Sequence, residues 1–209
     1  GVRLVGSEMC IRDRAYGGYR MYEEYMAPEA RERDVSYVES IPLIAGNPIV
    51  FMDVSFEGER VGRMVFQLRA DKSKKYAENF RRLCTGEKGF GLRGTPLHAF
   101  IPGQYMLGGD VVHGTGEGGR STYKTPLQTE RTGLRHAGPG CLSMDGPIDE
   151  ITSRFLISLA RAPLKDGSNP VFGSMVQGFD VLEDLQKRYR SFQDAQSARG
   201  SDKPPRLII

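Results

Sequence analysis

The chain has 209 residues and a net charge of only +3, with 39% hydrophobic and 26% charged residues, which is an ordinary composition for a globular protein. The small net charge argues against nucleic acid as a partner, because nucleic-acid-binding domains carry a concentrated basic stripe. No run of about 18 apolar residues is present, so the sequence predicts no membrane span.

The N-terminal part of the chain differs in composition from the rest. The string LVGSEMCIRDR, at Leu4–Arg14, reads as the translation of a transposase sequencing adaptor. We therefore predict that residues 1–14 are not native sequence, so that the native N-terminus is missing, and that they pack on nothing. Residues 15–46 form an extension of their own, in which tyrosine recurs at every third position: Tyr16, Tyr19, Tyr22 and Tyr25.

Two interpretations of the segment 15–46 remain open. Charged residues follow its tyrosines, which is typical of a mobile, solvated tail. Tyrosine and methionine are also enriched at protein interfaces, so the segment could instead be a docking arm that orders on a protein partner.

From Asn47 onward the pattern changes to short apolar runs. Ile49–Phe56 predicts a strand, the residues Glu57-Gly58-Glu59 predict a turn, and Val61–Leu68 predicts a second strand, so the three together indicate a hairpin. Asp71 is the expected N-cap of a helix that ends at Gly86. Four residues of that helix share one apolar face: Ala77, Phe80, Leu83 and Cys84.

The second half of the chain alternates glycine, proline and short apolar runs. A second amphipathic helix is predicted from the spacing of four residues: Phe179, Val181, Leu182 and Leu185. A last strand, cut short, is predicted over Arg206–Ile209. Many short strands with two helices indicate a mainly β domain over residues 47–209, a closed barrel with helices at its ends.

Neither a metal nor a cofactor is predicted. The cysteines Cys10, Cys84 and Cys141 form no CxxC pair, and the three histidines are scattered along the chain. Residues 114–119 match GxGxxG, but no apolar helix follows, so the match predicts a loop and not a dinucleotide site. The low cysteine usage favours an intracellular location, in the cytosol or a mitochondrion.

Several longer strings carry a family resemblance. The first are Glu78-Asn-Phe-Arg81, GEKGFGLRG at 86–94, His98 before Pro102-Gly103, and Gly-Gly-Asp at 108–110. They continue with GEGGRSTY at 116–123, GPGCLSM at 138–144, and Asp166-Gly before Val-Phe-Gly at 171–173. In this order and spacing, residues 47–209 resemble the cyclophilins, the peptidyl-prolyl isomerase family. The resemblance implies a closed eight-stranded antiparallel β-barrel capped by two α-helices.

The resemblance also places the catalytic position of the family. Rotation about an X-Pro amide crosses a barrier of about 18–20 kcal/mol because the nitrogen lone pair is delocalised. Cyclophilins are understood to lower it with an arginine that donates to the prolyl nitrogen, directly after the histidine matched by His98. This chain has Ala99 there, and the neighbouring Arg154 is one alternative source of a guanidinium group.

The substrate pocket of the family is altered in the same way. The resemblance assigns pocket positions to nine residues: Gln104, Tyr105, Leu107, Arg154, Phe155, Leu156, Leu164, Lys165 and Asn169. In the family these positions carry mainly aromatic residues, methionine, glutamine and histidine, and only Phe155 is retained. The loop that binds the substrate backbone is shortened to Asp145-Gly146 before Pro147.

Two functions are therefore expected from the sequence. The first is a non-catalytic cyclophilin-fold subunit that binds another protein within a larger assembly, docked in part by residues 15–46. The second is a weak peptidyl-prolyl isomerase acting in protein folding. Retained scaffold motifs beside a substituted site favour the first.

Overall fold

The computed structural model describes residues 43–199 and 205–209. The adaptor-like residues 1–14 and most of the extension 15–46 lie outside the described residues. Eight strands and two helices follow along the chain: β1 (Ile49–Phe56), β2 (Glu59–Leu68), α1 (Lys74–Thr85), β3 (Ala99–Ile101), β4 (Tyr105–Gly108), β5 (Cys141–Met144), β6 (Phe155–Ser158), β7 (Val171–Gln177), α2 (Phe179–Arg199) and β8 (Leu207–Ile208). A single turn of 3-10 helix, Pro163–Lys165, precedes β7.

The first hairpin confirms the prediction from the two apolar runs and the turn between them. β1 buries every second residue and pairs antiparallel with β2, from Ile49 opposite Gln67 to Phe56 opposite Glu59. Glu57 and Gly58 both have positive φ angles, of 51° and 87°, as a two-residue turn of this hand requires. The turn therefore matches the right-handed twist of the two strands.

Helix α1 begins one residue after Ser73, and the expected cap at Asp71 is wrong. The Ser73 hydroxyl accepts a hydrogen bond from the backbone N–H of Tyr76. Asp71 instead binds the Arg69 guanidinium at 2.8 and 2.7 Å and accepts from the Asn47 side chain at 2.7 Å. These partners hold the Asp71 carboxylate away from the helix, whereas the end at Gly86, with φ of 67°, is as predicted.

Ser73→Ala should lower the free energy of unfolding by about 1 kcal/mol, because the substitution removes an N-cap acceptor. Asp71→Ala should lower the free energy of unfolding by less than Ser73→Ala does, since it removes a half-exposed ion pair. Urea unfolding of both variants measures the difference. A larger loss in Asp71→Ala would contradict the assignment of Ser73 as the cap.

The eight strands form one antiparallel sheet in the order β3-β4-β6-β5-β7-β2-β1-β8. Its edge strands β3 and β8 do not pair with each other, so the expected closed barrel overstates the closure. The seam is instead bridged by the segment just before β3. The backbone N–H groups of Gly94 and Leu97 donate to Ile209 and Leu207, and that of Ile209 donates to Thr95.

The apolar core fills the inside of the curled sheet, and both helices pack against it. Phe80 and Leu83 of α1 and Leu182 and Leu185 of α2 are buried there, as the amphipathic spacings predicted. Within the described ranges, neither helix is long and apolar enough to cross a membrane.

Candidate functional site

Three side chains meet in one row on the outer face of the sheet. Ala99 of β3 lies opposite Leu107 of β4, and Leu107 lies opposite Leu156 of β6. Leu156 is buried but does not belong to the contiguous apolar core, whereas its neighbours Phe155 and Ile157 do. Strand alternation therefore places Ala99, Leu107 and Leu156 together on the face that the core does not use.

Phe155 lies on the other side of β6 from this row. Its ring is fully buried and packs edge-on against Phe80 at a centroid distance of 5.3 Å. The register places it opposite Gly108, where an added Cβ would come within 2.9 Å of the ring. The only aromatic residue retained from the family's pocket positions is thus a core residue, and the outer row is wholly aliphatic.

A second row lies beside the first along the strands. Tyr105, two residues before Leu107 on the same face, pairs with Ile101 and Ser158. The ammonium nitrogen of Lys165 sits 4.4 Å from the centroid of the Tyr105 ring. The backbone of Gln104 closes the β3–β4 turn by donating to Ile101 and accepting from Leu159. Leu164, beside Lys165, is 89% exposed and covers nothing.

Arg154 borders the first row on the same face, two residues before Leu156. Its guanidinium donates to the backbone carbonyl of Gly116 and lies 3.4 Å from the Asp145 carboxylate. The side-chain amide of Asn169 donates to the Met144 carbonyl at 3.1 Å and to Asp145 at 3.4 Å. These contacts occupy Arg154 and tie the shortened loop to the sheet.

His98 precedes Ala99, and its imidazole packs against the 110–118 loop. A Cβ added at Gly116, whose φ is 98°, would lie 2.6 Å from the ring, so the approach requires glycine. Burial lowers the pKa of His98, while Asp110 and Asp145 act in the opposite direction. Its Nδ1 is the one buried side-chain nitrogen or oxygen in the described residues without a hydrogen-bond partner.

The loop against His98 is organised by one carboxylate. Asp110 accepts hydrogen bonds from five backbone N–H groups at 2.9 to 3.1 Å, those of residues 112, 113, 115, 116 and 118. These donors hold the pKa of Asp110 well below its usual range although burial opposes them. The glycine-rich string at 114–119 is a loop, as predicted, and the structure shows that it is built around Asp110.

One hydrogen-bonded chain near the site was missed by the sequence analysis. The His136 ring contacts Ser143 Oγ at 2.9 Å through Nε2 and Asp166 Oδ1 at 2.8 Å through Nδ1. Burial lowers the pKa of His136, and Asp166 acts against that shift. Ser143 is fully buried in β5, so no substrate reaches it. These hydrogen bonds instead position the loop that carries Asp166 and Lys165. Since 30 residues separate His136 from Asp166, no local signal in the sequence could have found it.

The site as a whole offers a half-exposed aliphatic and aromatic surface and no donor at its centre. Ala99 has no polar atom, and the nearby guanidinium of Arg154 is bound to Gly116 and Asp145. Within residues 43–199 and 205–209, no cluster of three or more His, Cys, Asp or Glu side chains could hold a metal ion.

The chain was also compared with known protein families. Residues 51–206 match the model of the family described as "Cyclophilin type peptidyl-prolyl cis-trans isomerase/CLD". The matched range covers well over half of the 209 residues and contains eight of the ten strands and helices in full, together with the whole outer row. The eight antiparallel strands, the two helices and this match together show that the chain belongs to the cyclophilin-type peptidyl-prolyl cis-trans isomerase family.

Proposed function

We propose that this protein is a non-catalytic, protein-binding member of its family that acts as a subunit of a larger assembly. The observation that carries the proposal is Ala99, in the outer row where the family resemblance expects an arginine. Catalysis of proline isomerisation requires a group that stabilises the twisted amide more than the planar one. The half-buried aliphatic side chains of Ala99 and Leu107 can contact a peptide, but they give no such preference.

Arg154 does not replace the missing donor in this proposal. Its guanidinium already binds the Gly116 carbonyl and the Asp145 carboxylate. Moving it toward Ala99 would leave a half-buried carboxylate and a carbonyl without their partner, which is unfavourable. A protease-free proline-isomerisation assay of the purified chain tests the proposal. We expect little acceleration over the uncatalysed exchange, and near-normal isomerase activity would overturn it.

A weak isomerase acting in protein folding is the second candidate. It is favoured by the family membership and by His98, which directly precedes Ala99 and whose buried Nδ1 has no hydrogen-bond partner in the described residues. The same assay separates the two functions. The protein partner would be found first through residues 15–46, which we propose as its docking arm.

Cyclosporin-type macrocycles should not bind with submicromolar affinity. They occupy the proline pocket of the family, where this chain has Lys165 over Tyr105 and no aromatic wall at Leu164. An apolar macrocycle would have to cover the Lys165 ammonium without pairing it, which is costly. Isothermal titration calorimetry measures the affinity, and a submicromolar dissociation constant would contradict this expectation.

A further inference from the structure

We propose that the outer face beside Ala99 selects extended peptide segments that carry an aspartate or glutamate, whose carboxylate pairs with Lys165. The inference rests on the proposed function, since it specifies the partner of the same surface. It arises from the charges around the two rows and from the fixed position of one ammonium group.

Lys165 is held at the edge of the apolar surface. The residue ends the short 3-10 helix, and its backbone carbonyl accepts from the N–H of Asn169 at 3.0 Å. Its ammonium group stands over the ring of Tyr105, which shares a face with Leu107. A peptide lying along Ala99 and Leu107 would therefore pass next to this cation.

In the described residues, Lys165 forms no ion pair with a carboxylate. Three of the acidic residues in the loops around the face are engaged elsewhere. Asp145 is paired with Arg154, and Asp166, next to Lys165 in sequence, accepts from the backbone N–H and the ring of His136. Asp110 is occupied by its five backbone donors.

The charge presented to a ligand over the Tyr105 ring is therefore positive. Opposite charge on a ligand gives specificity and a faster association, whereas a like charge is rejected. The ring of Tyr105 restricts the lysine head group, so less conformational freedom is lost when it meets a carboxylate. The partner that fits is an extended segment with an apolar side chain over Leu107 and an acidic side chain over Lys165.

Fluorescence anisotropy of the full chain with labelled peptides tests the inference. The peptides have amidated C-termini, contain one Ala-Pro pair, and differ only in one residue near it, which is Glu, Gln or Lys. At low salt we expect the Glu peptide to bind about three- to fivefold tighter than the Gln peptide, the range of an exposed ion pair, and the Lys peptide to bind more weakly than both. Lys165→Met should abolish the difference, because methionine keeps the apolar stem without the charge.

The matched control is Lys74→Met, which removes the same charge from an exposed position on α1. It should leave the preference for Glu unchanged. Equal binding of the Glu and Gln peptides, or a preference that survives Lys165→Met, would overturn the inference and leave the binding function standing. If none of the Glu, Gln and Lys peptides binds, the binding function of this face is overturned as well.

Discussion

Ala99→Arg should recover only a small part of the isomerase activity of an arginine-bearing cyclophilin. Removal of one transition-state donor costs about 10²–10³ in rate in other enzymes. If the missing donor were the only defect of the site, restoring it would return the whole factor of about 10²–10³ in rate. We expect a recovery of less than about tenfold, because orientation of the substrate is itself a large part of catalysis.

The reason lies in the residues around position 99. Leu107 stands opposite it and offers no hydrogen bond to orient either the new guanidinium or a substrate carbonyl. Arg154 borders the same row, so a second guanidinium would be introduced close to an existing cation. Lys165 adds a third positive charge at the edge of the face. A new arginine is therefore neither positioned by a partner nor favoured by its electrostatic surroundings.

The measurement is the rate of proline isomerisation in a short peptide, which is slow enough without a catalyst for weak activity to be detected. Ala99→Met is the matched control, since it adds a long side chain without a donor. Full recovery in Ala99→Arg, with none in Ala99→Met, would show that the rest of the site is intact and that the chain lacks only its arginine.

Asp110→Asn should lower the free energy of unfolding by about 3 kcal/mol, because a buried acceptor with five donors loses its charge and one of its oxygens. The carboxylate is 1% exposed and divides its bonds between two oxygens. An asparagine amide would present an N–H₂ group to N–H donors. The 110–118 loop should therefore loosen, and His98 with it.

The same substitution should change how stability depends on pH. The folded-state pKa of Asp110 is lower than the unfolded value of about 3.9, so its stabilisation is present above that pH and is lost as the pH falls. Asp110→Asn should remove this part of the acid sensitivity. Asp149→Asn is the control, because its exposed carboxylate accepts one backbone N–H, from Thr129 at 2.9 Å. Urea unfolding at pH 7 and pH 3 measures both variants, and equal losses would contradict the role of Asp110.

Local patterns predicted the elements whose formation depends on neighbouring residues. Short apolar runs around a turn identified β1 and β2, and Gly86 marked the end of α1, because a hairpin and a left-handed helix end depend on short stretches of sequence. The cap of α1 was misplaced by two residues because Asp71 and Ser73 are both good capping residues. Only the contacts of Asp71, with the nearby Arg69 and with Asn47 from 24 residues away, decide between them.

The resemblance predicts where the candidate site lies, but it does not give the contacts of the residues there. The pocket positions came from matched motifs, whereas the side on which each residue lies depends on strand register. Phe155 therefore proved to be a core residue, while Leu156 joined the outer row. The partners of Arg154 could not be predicted from the sequence either, since Gly116 and Asp145 come close to it only in the folded chain.

The seam of the sheet has a consequence for how the chain folds. β8 pairs with β1 through residues 153 positions apart, and it reaches residues 94–97 on its other side. Closing a flexible loop of that length costs about 4 kcal/mol of chain entropy, and a strand of two residues returns few hydrogen bonds for it. Pairing of β8 is favourable only once the rest of the sheet already holds β1 and residues 94–97 in place. We therefore expect the seam to form last, after the other long-range pairings of the sheet.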